Sequence, residues 1–290
     1  MTETDHTIRS APLIQPDLVD DFLRHLGVSS RPTPRPADLT DLYRRWCERL
    51  PYDNGRMRQA LYANPGGTVI SASVEELLRG NIAHGRSGQC TETAETLYCL
   101  LRDLGFEAYL CPAYYGPAVG ERLEINHISV VVRSAGELYM VDTVLLSGRP
   151  IPLRTHEDTY PPLVYSVAQD VMGTWRIDTV TPVTRAPVVA RLFYLTENRS
   201  VCQRLFAQIH NEHFADVNGN YYGRRNVDGE MITLSTSHAD RTVLTLHRTS
   251  LFGTTSVVRR TPEERRQAMI DGLGFSSEYA ADLPPDTPPA

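Results

Sequence analysis

Cys90 lies in Arg86-Ser87-Gly88-Gln89-Cys90-Thr91-Glu92, where a glycine-containing turn runs into an amphipathic helical stretch. Further along come His127, in Ile125-Asn126-His127-Ile128-Ser129-Val130, and Asp142, in Tyr139-Met140-Val141-Asp142-Thr143. A thiol, an imidazole and a carboxylate in that chain order are the parts of a Cys-His-Asp nucleophilic triad, which works through a covalent acyl intermediate. An ordinary cysteine ionises near pH ~8.5, so such chemistry needs a device that favours the thiolate. The positive end of a helix dipole is one, and an imidazole that holds the proton is another. Singly, each residue has a plainer role. A cysteine can start a helix and pack inward, a strand histidine can sit hydrogen-bonded in the core, and an aspartate can open a turn. Together they gain weight, because the two strand-like segments are neighbours and can pair as a hairpin with His127 and Asp142 side by side.

The chain that must position them has 290 residues, enough to bury a core over two or three subdomains without disulfide staples. Its hydrophobic content of 41% and charged content of 22% are those of a soluble globular protein. A net charge of -6 without a basic cluster gives no reason to expect nucleic acid. The pairs Arg44-Arg45, Arg224-Arg225 and Arg259-Arg260 read as solvated helix or turn faces. No apolar run approaches the roughly 20 residues that span a bilayer, and the first residues lack the pattern of a signal peptide, so a cytoplasmic protein is expected. Five cysteines (Cys47, Cys90, Cys99, Cys111, Cys202) without a C-x-x-C pair argue against a disulfide framework or zinc site. Four of them read as small apolar packing residues.

Three changes of pattern divide the chain, and the expected fold class is α+β. Residues 1–105 read as a helical bundle. Leu18, Phe22, Leu23 and Leu26 follow helical spacing, as do Leu39, Leu42, Tyr43, Trp46 and Leu50. Ser73-x-x-Glu76 is a capping box, and a last helix from Cys90 to Leu104 stops at Gly105. Residues 106–197 read as short strands of a small antiparallel barrel or curled sheet, at 106–115, 123–132, 137–145, 163–167, 174–178 and 190–196. Residues 198–290 read as an α/β lid: a helix over 201–210, a hairpin turning at Asp228-Gly229, two further strands and a helix opened by Thr261-Pro262. The outermost residues, 1–15 and 283–290, read as tails.

The three segments resemble those of the arylamine N-acetyltransferase family. Its cysteine stands in an Arg-Gly-Gly-x-Cys motif at a helix start, its histidine begins an apolar strand and its aspartate follows a Tyr-x-x-Asp strand. Leu50-Pro51-Tyr52-Asp53-Asn54 is similar to the family's Ile-Pro-Phe-Glu-Asn element, and Pro150-Ile151-Pro152-Leu153 to its turn and Pro-Leu strand. The likeness covers residues 18–155 best. It implies a helical bundle, a β-barrel and an α/β lid around a cysteine-proteinase-like core, with Cys90, His127 and Asp142 catalytic. It also implies an Asp53–Arg86 ion pair that, with Gly88, supports the loop under Cys90.

The chain departs from the family where substrates bind. Thr143-Val144-Leu145-Leu146 replaces Val-Gly-Phe-Gly, Ser87 replaces a motif glycine, and Gln89 replaces a bulky residue before the cysteine. Ala94 stands for an asparagine, and Arg199–Phe206 for a segment that helps hold coenzyme A. Gln89, Thr143, Val144 and Leu145 are therefore expected to contact substrate. The resemblance implies an N-acyltransferase that takes an acyl group from a thioester, acyl-CoA or an acyl-carrier-protein arm, and gives it to a small-molecule amine. No metal, tightly bound cofactor, nucleic acid or membrane partner is implied. The family's natural-product amide synthases, which form amides or macrolactams, are the nearer comparison. Transglutaminase-like or papain-like amidases share the same order of triad residues, and a catalytically idle binding module is a third reading. Weaker signals read as structural: His210-Asn211-Glu212-His213 lacks the spacing of a helical zinc site, Asn64-Pro65-Gly66-Gly67 is a turn, and Tyr114-Tyr115 and Tyr221-Tyr222 fit strand packing.

Overall fold

The computed structural model describes residues 11–64, 67–119, 124–209, 220–236 and 243–284. The outer tails at 1–10 and 285–290, the His210–His213 motif and Pro65-Gly66 lie outside the described residues. The helical part comprises α1 (Pro16–His25), α2 (Pro36–Arg49), α3 (Gly55–Ala63), α4 (Val74–His84) and α5 (Cys90–Asp103). Both α1 and α2 start on a proline, whose fixed φ suits the first turn. The expected capping box opens α4: Ser73 accepts from the Glu76 amide while Glu76 reaches back to the Ser73 amide.

Helix α5 differs from a simple amphipathic helix. Every residue from Cys90 to Leu101 is buried, polar ones included. It runs through the middle of the molecule, packed on α4, on α6 (Ser200–Gln208) and on strands β2 (Glu107–Pro117) and β3 (His127–Ser134). Several of its buried polar groups are satisfied: Thr93 and Thr96 hydroxyls donate to the carbonyls of Gln89 and Glu92, and Glu95 pairs with Arg199 at 2.7 Å, while the Thr91 hydroxyl has no partner among the described residues. One apolar core joins α1, α2, α4, α5 and α6 to the inner face of the sheet.

The sheet has eight antiparallel strands in the order β5-β4-β3-β2-β9-β8-β7-β6, where β4 is Glu137–Val141, β5 Ile151–Pro152, β6 His156–Tyr160, β7 Leu163–Gln169, β8 Trp175–Val180 and β9 Pro187–Leu192. Its two edge strands, β5 and β6, are not hydrogen-bonded to each other among the described residues, so of the two forms expected, barrel or curled sheet, it takes the curled sheet. A second sheet, β1-β10-β11-β12-β13, joins Tyr52–Asp53 (β1) to β10 (Tyr222–Val227), β11 (Glu230–Thr236), β12 (Leu244–Ser250) and β13 (Gly253–Arg259). The hairpin turns at Asp228-Gly229 as expected, both residues at positive φ. Helices α7 (Pro262–Leu273) and α8 (Ser277–Asp282) complete the chain, α7 packing on this second sheet. The β1–β10 ladder carries the last third of the chain back to the loop beneath Cys90.

Candidate active site

The backbone fixes the three reactive side chains from three directions. Cys90 is the first residue of α5, His127 the first of β3, and Asp142 follows β4 directly. Val130 pairs with Val141, so continuing the register puts Asp142 opposite Ser129 and diagonal to His127 on the same face of the sheet. His127 Nε2 stands 2.7 Å from Asp142 Oδ2, with both side chains buried. The Nε2 proton therefore points at the carboxylate, and Nδ1 is left for Cys90, which lies within hydrogen-bonding reach of the ring. Burial disfavours a charged imidazole, but the charge and hydrogen bond of Asp142, with Cys90, outweigh it and raise the His127 pKa to about 10. Burial likewise disfavours the Asp142 carboxylate, yet His127 and backbone amides hold it down at about 2. The pair is an imidazolium–carboxylate ion pair.

Both oxygens of Asp142 are engaged by the protein itself. Its Oδ1 accepts from the amides of Val144 and Leu145, both at 2.8 Å, and the turn closes with the Leu146 amide donating to the Asp142 carbonyl. The segment Thr143–Leu146 is thus the wrapping of the carboxylate. Of the residues expected to contact substrate, only Val144 faces the cavity beside Cys90. Thr143 instead stands with its hydroxyl 2.7 Å from that of Thr93, tying this turn to α5, and Leu145 is in the apolar interior of the sheet. Gln89 is buried under the start of α5, where its backbone N–H donates to the Glu92 carboxylate at 3.2 Å. The segment Arg199–Phe206 lines no part of that cavity, and its Arg199 is engaged by Glu95.

The loop under Cys90 is braced differently from the expected ion pair. Asp53 does not pair with Arg86 among the described residues. Its Oδ2 accepts from the Ser87 amide at 3.1 Å, its Oδ1 from the Gly55 amide at 2.8 Å, and its own amide donates to the Gly88 carbonyl at 3.3 Å. The Arg86 guanidinium packs over Gly80 of α4, where a Cβ would collide with it. The ion pair at this loop joins Arg56 to Glu92, and Glu92 also accepts from the Ala72 amide at 2.7 Å. Gly88 is required by close approach: a Cβ there would stand 2.6 Å from the Glu92 carboxylate. Burial pushes the Asp53 pKa up to about 7, aided by Glu92 and opposed by the two amides and Arg56. Cys47, Cys99 and Cys111 are buried thiols pushed up to about 12 by desolvation, as expected of packing residues.

Cys90 and His127 open on a cavity of about 540 Å³. Its walls include Tyr52, Tyr115, Asn126, Val188, Tyr222 and Arg224, supplied by both sheets. Tyr115, Tyr221 and Tyr222 therefore have a place at the cavity beyond strand packing, while Tyr114 does not. Arg224 corrects the expectation of a solvated pair: it is 3% exposed, because β10 lies between β1 and β11 with residues 222 and 224 turned to the cavity. The alternation of Tyr222, Arg224 and Asn226 carried that signal, but the two-residue β1 that buries it has no pattern of its own. Among the described residues no group of His, Cys, Asp and Glu could hold a metal ion, and no helix is long and apolar enough to cross a membrane.

A buried imidazolium–carboxylate pair set against a helix-start thiol is an arrangement chemically able to serve a thiol nucleophile. The N-acetyltransferase family model matches residues 37–283, and the chain belongs to the arylamine N-acetyltransferase family. Solved structures share its fold at low identity. The arylamine N-acetyltransferase of Mycobacterium marinum is 16% identical with a TM-score of 0.75, over 92% of this chain and 94% of that one. The same enzyme in complex with CoA gives 15% identity and a TM-score of 0.73 over 91% and 97%. An arylamine N-acetyltransferase from Bacillus cereus, described as having a unique Cys-His-Glu catalytic triad, is 16% identical with a TM-score of 0.70 over 89% and 99%. No curated protein sequence matches the chain. The protein is an acyltransferase of this family.

Proposed function

We propose that the protein moves an acyl group from a thioester to an amine through an acyl-enzyme on Cys90. The observation that carries this reading is the 2.7 Å contact of Asp142 with Nε2 of His127, a residue that lines the same cavity as Cys90. Asp142 fixes the ring so that Nδ1 serves the thiol. The Cys90 Sγ thiolate attacks the thioester carbonyl, and backbone N–H groups at the start of α5 receive the developing oxyanion. The bond to the donor sulfur breaks, and the leaving thiolate takes the proton from His127 Nδ1. An amine then attacks the acyl carbon, gives its proton to His127 Nδ1 and releases the amide, while the bond to Cys90 breaks and restores the thiolate.

In this reading residues 1–105 supply the nucleophile, 106–197 its histidine and aspartate, and 198–290 the covering wall. The donor is acyl-CoA or an acyl-carrier-protein arm, the acceptor a small-molecule amine, and no cofactor stays bound between turnovers. Val144, the residue of the turn after Asp142 that lines the cavity, supports substrates other than simple arylamines, such as those of amide synthases in cytoplasmic natural-product pathways. Steady-state kinetics test the two-step scheme. Parallel double-reciprocal lines and a burst of free thiol before any amine is added are expected. Intersecting lines with no burst would point to direct transfer within a ternary complex and overturn the acyl-enzyme.

A further inference from the structure

Arg224 has no role in the chemistry above, and its surroundings are unusual for a guanidinium. It is buried in the wall of the cavity that holds Cys90 and His127. Its neighbours there are the phenols of Tyr115, Tyr165 and Tyr222, and its Nε has no hydrogen-bond partner among the described residues. No carboxylate lines this cavity among the described residues. Most buried arginines are matched by an acid, because an unmatched buried charge costs stability. The charge nevertheless stays on: burial works against it, but the surrounding tyrosines raise the Arg224 pKa above its ordinary value. A charge kept unmatched inside a pocket is the signature of a group whose partner arrives with the ligand.

Its placement gives the distance scale. Arg224 pairs with Tyr52 across the β1–β10 ladder, and Tyr52 bridges to Gly88, two residues before Cys90. Two strand spacings separate the Arg224 backbone from the nucleophile loop, about 10 Å. A flexible side chain spans much of that, so an anion at Arg224 and a carbonyl at Cys90 sit within one small molecule. The phosphates of a pantetheine donor lie at the far end of its long arm and do not meet this spacing.

We propose that Arg224 is a specificity-determining residue that binds a carboxylate carried by the acyl group or by the amine acceptor. The inference rests on the acyl-enzyme reading of Cys90. The two sources share one chemistry, a planar carboxylate on a forked guanidinium.

The test uses simple N-acetylcysteamine thioesters, which carry no phosphate. In one arm, Cys90 is acylated with a succinyl thioester or its uncharged isostere, and the rate is read by intact mass. In the other, the acyl-enzyme is discharged with an aminobenzoate or the corresponding amide. One arm is expected to favour the carboxylate by about ten- to hundredfold, and Arg224→Gln to bring that ratio to near one, with Arg224→Lys in between. The favoured arm names the source. Ratios near one in both arms for the wild-type protein, or a preference that survives Arg224→Gln, would overturn the proposal while acylation of Cys90 still upholds the parent reading. Absence of any acylation would sink both. Arg224→Met supplies a fold-independent check: removing an unmatched buried charge is expected to hold or raise the melting temperature. A marked fall would identify Arg224 as a structural residue and contradict the proposal.

Discussion

Tyr43 grips the backbone of Asp142 in both directions, its phenol donating to the Asp142 carbonyl at 2.7 Å and accepting from the Asp142 amide at 3.1 Å. The residues are 99 positions apart, one on α2 and the other after β4. This link, with the Thr93–Thr143 contact, sets Asp142 against α5. Tyr43→Phe removes a donor and an acceptor together inside the core. It is expected to cost about 1–3 kcal/mol in denaturant unfolding and to slow Cys90 acylation. An unchanged melt and unchanged rate would show that the turn around Asp142 holds itself.

Asp142→Asn keeps the shape of the acid but loses its charge, and the ring of His127 is no longer held with Nδ1 turned to the thiol in the required state. A fall of about 10³–10⁴ in the acylation rate is expected, with the protein still folded by circular dichroism. A loss of less than tenfold would remove Asp142 from the mechanism.

The pH dependence follows from the same pair. His127 is raised to about 10, so the stability it gains from Asp142 is complete below its unfolded value near 6.5 and fades as pH rises through 10. Asp142 is lowered to about 2, so its share is complete above its unfolded value near 3.8 and is lost as pH falls through 2. The melting-temperature gap between the wild-type protein and His127→Gln is therefore expected to be widest between about pH 4 and 6.5 and to narrow on both sides. A gap that grows toward pH 9 would mean the ring is neutral in the folded protein.

Glu92 is the buried acid of the nucleophile loop, holding Arg56 and the amides of Ala72 and Gln89. Glu92→Ala strands the Arg56 charge and unbinds both amides, at an expected cost of roughly 3–5 kcal/mol. Gly88→Ala drives a methyl group toward the same carboxylate and is expected to cost about 1–3 kcal/mol. Chemical denaturation measures both. Two near-neutral results would show that the Asp53 bonds to Ser87 and Gly55 brace the loop unaided.

The three residues proposed for the triad were legible because each sits at an element boundary with a local signature. Cys90 follows a glycine turn at a helix start, His127 opens an apolar strand and Asp142 closes one. What the sequence hid depends on contacts distant along the chain. Arg224 read as solvated because nothing local marks Tyr52–Asp53 as a strand able to cover it. Strand β6, His-Glu-Asp-Thr-Tyr, escaped because an edge strand exposed to solvent needs no alternation. The Asp53–Arg86 pair was expected from the resemblance, but Asp53 is taken up by the amides of Gly55 and Ser87 and Arg86 fills the space above Gly80. Thr143, Val144 and Leu145 read as pocket, yet their turn wraps Asp142 and only Val144 reaches the cavity, since bulk in a sequence does not say which way a turn faces.

Intact mass spectrometry after incubation with a simple acyl thioester addresses the central claim most directly. One acyl mass is expected on the wild-type protein, mapped to the peptide carrying Cys90, discharged by an amine and absent from Cys90→Ala. Undiminished transfer by Cys90→Ala, or an acyl group on another residue, would contradict the account.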